Sequence, residues 1–171
     1  MKSLNSILVS IALTLASHAV VGQYVYEGDK FSVVFPAEPS MWSEVYEDSD
    51  QPFTIDFYLF EEQDGKTFYM LSTTDYSIAN LQSLSEDEID NILYTAVSTF
   101  LESIEMEPTF FEEIILNENH GLLFSAKSYN DYCQGKVYLV NNRIYQLVSL
   151  TTERNVNKEI IDQFLLSFKL K

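Results

Sequence analysis

The sequence predicts an α+β fold in which an antiparallel sheet is covered by helices. Three observations carry the prediction. The run "FTIDFYLF" (residues 53–60) alternates apolar and polar positions with the period of two that a strand requires. Residues 86–104 change to spacings of three and four, the period of a helix. Strand-like runs then resume, and a second helical stripe closes the chain, giving the order strands, helix, strands, helix.

Taken in order, "YVYE" and "FSVVF" flank Gly28-Asp29 and predict a hairpin. In "FSVVFPAEP", Phe31, Val33 and Phe35 share one face, so the run is a strand with a buried side. Pro36 has no N–H for a ladder and holds the residue before it extended, so the strand ends at Phe35. Two prolines without a basic flank make a poor polyproline ligand. "MWSEVY" (residues 41–46) reads as a further short strand. In "FTIDFYLF", Phe53, Ile55, Phe57 and Leu59 face one way and Thr54, Asp56 and Tyr58 the other, a half-buried strand. "EEQDGK" carries an Asp-Gly turn, and "TFYMLST" (residues 67–73) returns as its partner.

The helix over residues 86–104 carries the stripe Ile89, Ile92, Leu93, Ala96, Val97, Phe100, Leu101 and Ile104. Ser85 and Glu88 form a capping box, Glu86 and Asp87 suit the helix dipole, and the helix must stop before Pro108. Four strands follow. "TFFEEIIL" leads through a polar turn at residues 117–121 to "LLFSAKS". A turn at residues 129–131 then gives "YCQGKVYLV", and Asn141-Asn142 turns into "RIYQLVSLT". Asn157 caps a closing helix with the stripe Ile160, Ile161, Phe164, Leu165 and Phe168.

The first 22 residues read as a signal peptide. Lys2 supplies the positive start, and "ILVSIALTLASHAVV" is an apolar stretch too short and too lightly flanked for a retained membrane anchor. Cleavage follows Ala19 or, preferably, Gly22. The only cysteine, Cys133, lies far from the signal, which excludes a lipoprotein. Residues 23–171 are then one domain, large enough to bury a core without disulfides, with no membrane span in the mature form. Cys133 lies in a strand-like run and is read as buried, the alternative being an intermolecular handle.

Acidic residues number 26 against 10 basic, a net charge of −16 that becomes −17 when Lys2 is removed. Such a surface repels phosphate backbones and anionic lipid, so nucleic acid is excluded as a partner, and a basic protein surface fits. The five glycines, Gly22, Gly28, Gly65, Gly121 and Gly135, lack the spacing of a phosphate loop, a dinucleotide fingerprint or a nucleophile elbow. One histidine, His120, survives signal removal, so a histidine-pair zinc site within one chain is impossible. If the turn is at residues 129–131, Cys133 lies opposite Lys127. His120 is then about 24 Å along the strand, at about 3.4 Å per residue, and no dyad forms. His120 itself reads as a loop residue without a task.

"EDSDQP" (residues 47–52) spaces oxygens as calcium loops do, but lacks the glycine and final glutamate of such a loop. Most carboxylates therefore read as solvated surface. The aromatic content, 11 Tyr, 12 Phe and one Trp, has two readings. In the preferred one, phenylalanines fill the core and tyrosines line the outer face of the sheet. In the other, Trp42, Tyr46, Tyr129 and Tyr132, near strand ends, form a binding edge. No catalytic, cofactor-binding or metal-ligating residue is assigned.

The pattern as a whole resembles the PsbP-like superfamily, which includes the Ran-binding nuclear-import factor and many exported bacterial domains of unknown function. The resemblance rests on "FSVVFPAEP", on "FYMLSTTDYS" before a long helix, on "GLLFSAKS", and on "NNRIYQLVSL" with the closing "NKEIIDQFLLSFKL". It covers nearly all of the chain after the signal. It implies an α/β/α sandwich around a mainly antiparallel sheet, covered by a long amphipathic helix and a C-terminal helix. It also implies action by binding partners and not by catalysis, and it transfers no functional residue. Two functions follow. The first is a non-enzymatic, exported binding or assembly domain acting through protein–protein contacts at the cell envelope. The alternative is a carrier of a small apolar ligand or lipid, with an aromatic pocket between sheet and helix. A carboxylate hydrolase ranks third.

Overall fold

The computed structural model describes residues 23–47, 52–63, 65–76, 81–152 and 157–171. The proposed signal peptide therefore lies outside the described residues, as does most of the acidic run "EDSDQP".

Ten strands and two α-helices are present among them. The strands are β1 (Tyr24–Glu27), β2 (Phe31–Phe35), β3 (Ser40–Tyr46), β4 (Phe53–Glu61), β5 (Thr67–Asp75), β6 (Glu107–Leu116), β7 (Asn119–Lys127), β8 (Asp131–Val140), β9 (Arg143–Thr152) and β10 (Lys169–Leu170). The helices are α1 (Glu86–Ser103) and α2 (Lys158–Ser167), and a single 3-10 turn, Leu81–Ser83, precedes α1. β3 to β9 build a seven-stranded sheet in the order β3-β4-β5-β9-β8-β7-β6, and β1-β2-β10 form a separate three-stranded sheet. Every pairing in both is antiparallel.

The α/β/α sandwich expected from the sequence is overturned. Strand makes up 56% and helix 22% of the structure, in two antiparallel sheets. The physical reason lies in the first hairpin. β2 turns Phe31, Val33 and Phe35 into the core, but its backbone pairs with β1 and with β10 and not with the large sheet. One face of the large sheet is thus covered by a second sheet together with α2. The long helix α1 covers the other face mainly over β6, β7 and β8. Full burial of Phe31, Val33 and Phe35 contributes about 2 kcal/mol each, which fixes the small sheet in place.

Two cores result. Against α1, Leu93, Val97 and Leu101 pack on Leu122, Phe124, Ala126, Cys133, Val137 and Val148. On the opposite face, Phe31, Phe35, Phe164 and Phe168 meet Tyr58, Tyr69, Tyr138 and Tyr145. Those four tyrosines are buried, where the sequence reading placed tyrosines on an outer face. The small sheet supplies the difference, because it roofs the face to which Tyr58 points. Tyr58 accepts a hydrogen bond from the Tyr26 hydroxyl at 3.2 Å, and Tyr69 donates to Glu62 at 3.3 Å. Burial raises both phenols well above their ordinary range.

α1 begins with the expected capping box. The Ser85 hydroxyl accepts from the Glu88 N–H, and the Glu88 carboxylate accepts from the Ser85 N–H at 2.8 Å. It ends in a Schellman motif: Met106 N–H donates to the Leu101 carbonyl and Glu105 N–H to that of Glu102. Glu105 occupies the left-handed position of that motif, at φ +56°. The next turn is shorter than expected. β6 and β7 are joined by Asn117 and Glu118 alone, at φ +48° and +67°, so Asn119, His120 and Gly121 belong to β7.

Candidate binding surface

Among the described residues, β3 is the terminal strand of the large sheet and pairs only with β4. Its alternation puts Trp42, Glu44 and Tyr46 on one face and Met41, Ser43 and Val45 on the other. Register decides what the first three meet. Trp42 lies opposite Phe57, and their rings stack with centroids 4.9 Å apart and planes 14° from parallel. Tyr46 lies opposite Phe53 with the same spacing and 13° between planes. Tyr76 extends this second stack, 5.6 Å from Phe53.

Glu44 sits between the two stacks and is held by both. The Trp42 indole donates to one carboxylate oxygen at 3.3 Å, and the Tyr46 hydroxyl donates to the other at 2.8 Å. Burial, then the hydrogen bond and the charge of Glu44, raise the Tyr46 hydroxyl above its ordinary range. The result is an aromatic ledge with a carboxylate fixed at its centre. All of its members are half-buried, so each retains some surface toward solvent. α1 packs at the other end of this face, on β6, β7 and β8. On the opposite face of β3, Met41 and Val45 are 57% and 63% exposed, and Ser43 donates to Asp56 at 2.6 Å.

The two edges of the sheet differ. β6 bares Phe110 and Ile115, but its first residues carry Pro108 and a bulge between Pro108 and Phe110, which interrupt the edge against a second chain. β3 pairs with β4 in unbroken register over seven residues and has no proline and no lysine. A regular strand that bares Met41 and Val45 at such an edge is a template for another strand.

Of the four aromatic residues that the sequence pointed to, the structure brings Trp42 and Tyr46 together. Tyr129 stands 94% exposed in the β7–β8 turn, and Tyr132 is half-buried on β8. β8 lies four strands from β3, about 19 Å at about 4.8 Å per strand, so these two belong elsewhere. Sequence reasoning missed Glu44, Phe53 and Phe57. The available signal was the i, i+2, i+4 spacing of Trp42, Glu44 and Tyr46, combined with the hairpin register.

Cys133 pairs with Ala126, one residue from the expected Lys127, because the turn spans four residues closed by the Ser128 N–H and the Asp131 carbonyl. It is fully buried, and burial pushes its thiol up to about 12. His120 is a strand residue and not a loop residue, with Nδ1 3.4 Å from Asp90 of α1. Six residues separate it from Ala126, about 20 Å along the strand, so it does not reach Cys133. Among the described residues, no group of three or more His, Cys, Asp and Glu is placed to hold a metal ion. No helix among them is long and apolar enough to cross a membrane.

A concavity lies between β2 and α2, a groove of about 320 Å³ floored by Phe35 and Phe164 and lined by Val34, Pro36 and Ile160. Gln23 closes one side by donating to Gln163 at 3.0 Å. The ring of the groove's floor residue Phe164 also packs edge-on against Tyr69 of the large sheet, centroids 5.5 Å apart.

Comparison with known proteins places the architecture. No family model matches the sequence, and no curated protein matches it. Among solved structures, the chain is similar to cyanobacterial PsbP (CyanoP) from Synechocystis sp. PCC 6803, in a solution structure. The TM-score is 0.62 at 11% sequence identity, over 94% of this chain and 99% of that one. The fold is PsbP-like.

Proposed function

We propose that this chain is an exported, non-catalytic accessory domain that holds a protein partner at the cell envelope through strand β3. The observation that carries the reading is the contrast between the sheet edges: β6 is interrupted by a proline and a bulge, and β3 runs in unbroken register. An accessory, partner-binding role agrees with a PsbP-like fold. Export rests on the signal-like first 22 residues, and residues 23–171 act as one domain.

A capture experiment from envelope extract tests it. The wild-type chain retains a stoichiometric protein partner, and Met41→Lys with Val45→Lys releases it without changing the melting temperature. Retention of the same partner by the double variant overturns the assignment to β3. N-terminal sequencing of the exported material checks the signal, with Gln23 or Val20 expected first and Met1 counting against it. The groove over Phe35 and Phe164 supports a second reading, as a carrier of a small apolar ligand. A small molecule co-purifying without a protein partner in native mass spectrometry decides for it.

A further inference from the structure

We infer that β3 accepts an extended segment whose residues alternate between basic and apolar, added as an eighth strand of the large sheet. The inference rests on the reading of β3 as the docking edge and specifies the chemistry of what docks there.

A strand laid beside β3 sends its side chains alternately to the two faces of the sheet. On one face they meet Trp42, Glu44 and Tyr46, and on the other Met41, Ser43 and Val45. The first row is a receptor for a cation. Glu44 is fixed between the Trp42–Phe57 and Tyr46–Phe53 stacks by two hydrogen bonds, which position its charge without neutralising it. A guanidinium or ammonium beside Glu44 meets its carboxylate, and one laid over Trp42 or Tyr46 meets the ring face turned away from Phe57 or Phe53. The second row offers exposed Met41 and Val45, which bury apolar side chains.

Charge makes the choice of occupant. β3 and β4 contain Glu44, Asp56 and Glu61 and no lysine or arginine, within a chain of net charge −16. A second copy of this chain would bring carboxylates to carboxylates. A segment with basic residues on alternate positions complements the edge and is attracted before contact.

Trp42 is the one tryptophan of the chain, so its fluorescence reports directly on the site. The test titrates the full chain with a short synthetic peptide of alternating arginine and valine. A saturable shift in Trp42 emission is expected, weakened about tenfold in Glu44→Gln. Two N-methylated forms, blocked on opposite alternate sets of backbone N–H groups, must differ, with one binding and the other not. Equal binding by both overturns strand addition. Equal binding by a peptide of the same composition in blocks, or by alternating glutamate and valine, overturns the alternating basic chemistry. Capture of a partner through Met41 and Val45 without any arginine–valine binding sinks this inference alone. Failure of capture in the presence of arginine–valine binding sinks the envelope reading and leaves this one.

Discussion

The ring of Tyr138 lies over Gly121 of the neighbouring strand. A Cβ on that glycine would stand 2.4 Å from the ring and 2.8 Å from the Val137 carbonyl oxygen. On the other face of the sheet, Phe124 lies over Gly135 in the same way, at 2.4 Å, with the Leu147 carbonyl oxygen at 2.6 Å. Two interior glycines of adjacent strands each seat an aromatic ring from the other's strand.

Gly135→Ala forces Phe124, fully buried, to move, and the backbone oxygen on the other side leaves no retreat. Overpacking of this kind costs about 2–3 kcal/mol. Urea denaturation is expected to show that loss, and a somewhat smaller one for Gly121→Ala, since Tyr138 lies closer to solvent. A neutral Gly135→Ala would mean that the ring and glycine are not in contact.

Glu105 gives the opposite sign. Its φ of +56° at the end of α1 is a conformation that costs a non-glycine residue about 1–2 kcal/mol, partly offset in glycine by the entropy of the unfolded chain. Glu105→Gly is therefore expected to stabilise the protein by about 0.5–1 kcal/mol, and Glu105→Ala to give no such gain. A higher denaturation midpoint for glycine alone is the diagnostic result.

The buried thiol of Cys133 makes stability fall in alkali. Its folded value of about 12 lies above the ordinary 9.0, so below pH 9 both folded and unfolded chains keep the proton and nothing is lost. Between about pH 9 and 12 the unfolded chain alone releases it, and stability drops by up to about 1.4 kcal/mol per pH unit. Tyr58, Tyr69 and Tyr138, also raised by burial, extend the loss from about pH 10 upward. Cys133→Ala should hold its urea midpoint level to about pH 10, whatever its starting stability. A wild-type-shaped profile in that variant would remove the thiol as the cause.

Local chemistry was readable where one stretch of chain decides it alone. The Ser85–Glu88 capping box, the Phe31–Val33–Phe35 face, the left-handed Gly65 and Asn141, and the stripe of Leu93, Val97 and Leu101 all appear as the residues dictate. What could not be read depends on residues far apart. Tyr58 alternates with apolar neighbours and looks solvent-facing until β2, remote in sequence, roofs it. β10 is two residues long and carries no periodicity, yet it completes the small sheet by pairing with β2. The ledge was half visible, because Trp42 and Tyr46 stand out by type. Phe53 and Phe57 join them only through the β3–β4 register.

The pairing of β2 with β10 also sets an order of assembly. Ser32 meets Lys169 across 137 positions of chain (169 − 32), whereas the α1 core is drawn mainly from the continuous stretch of α1, β6, β7, β8 and β9. Closing a long loop costs entropy that is repaid only once both ends are seated. The α1 side can therefore form early as a local unit. The tyrosine-lined side stays wet until Phe31 and Phe168 come together, which makes that half the last to seal and the first to open.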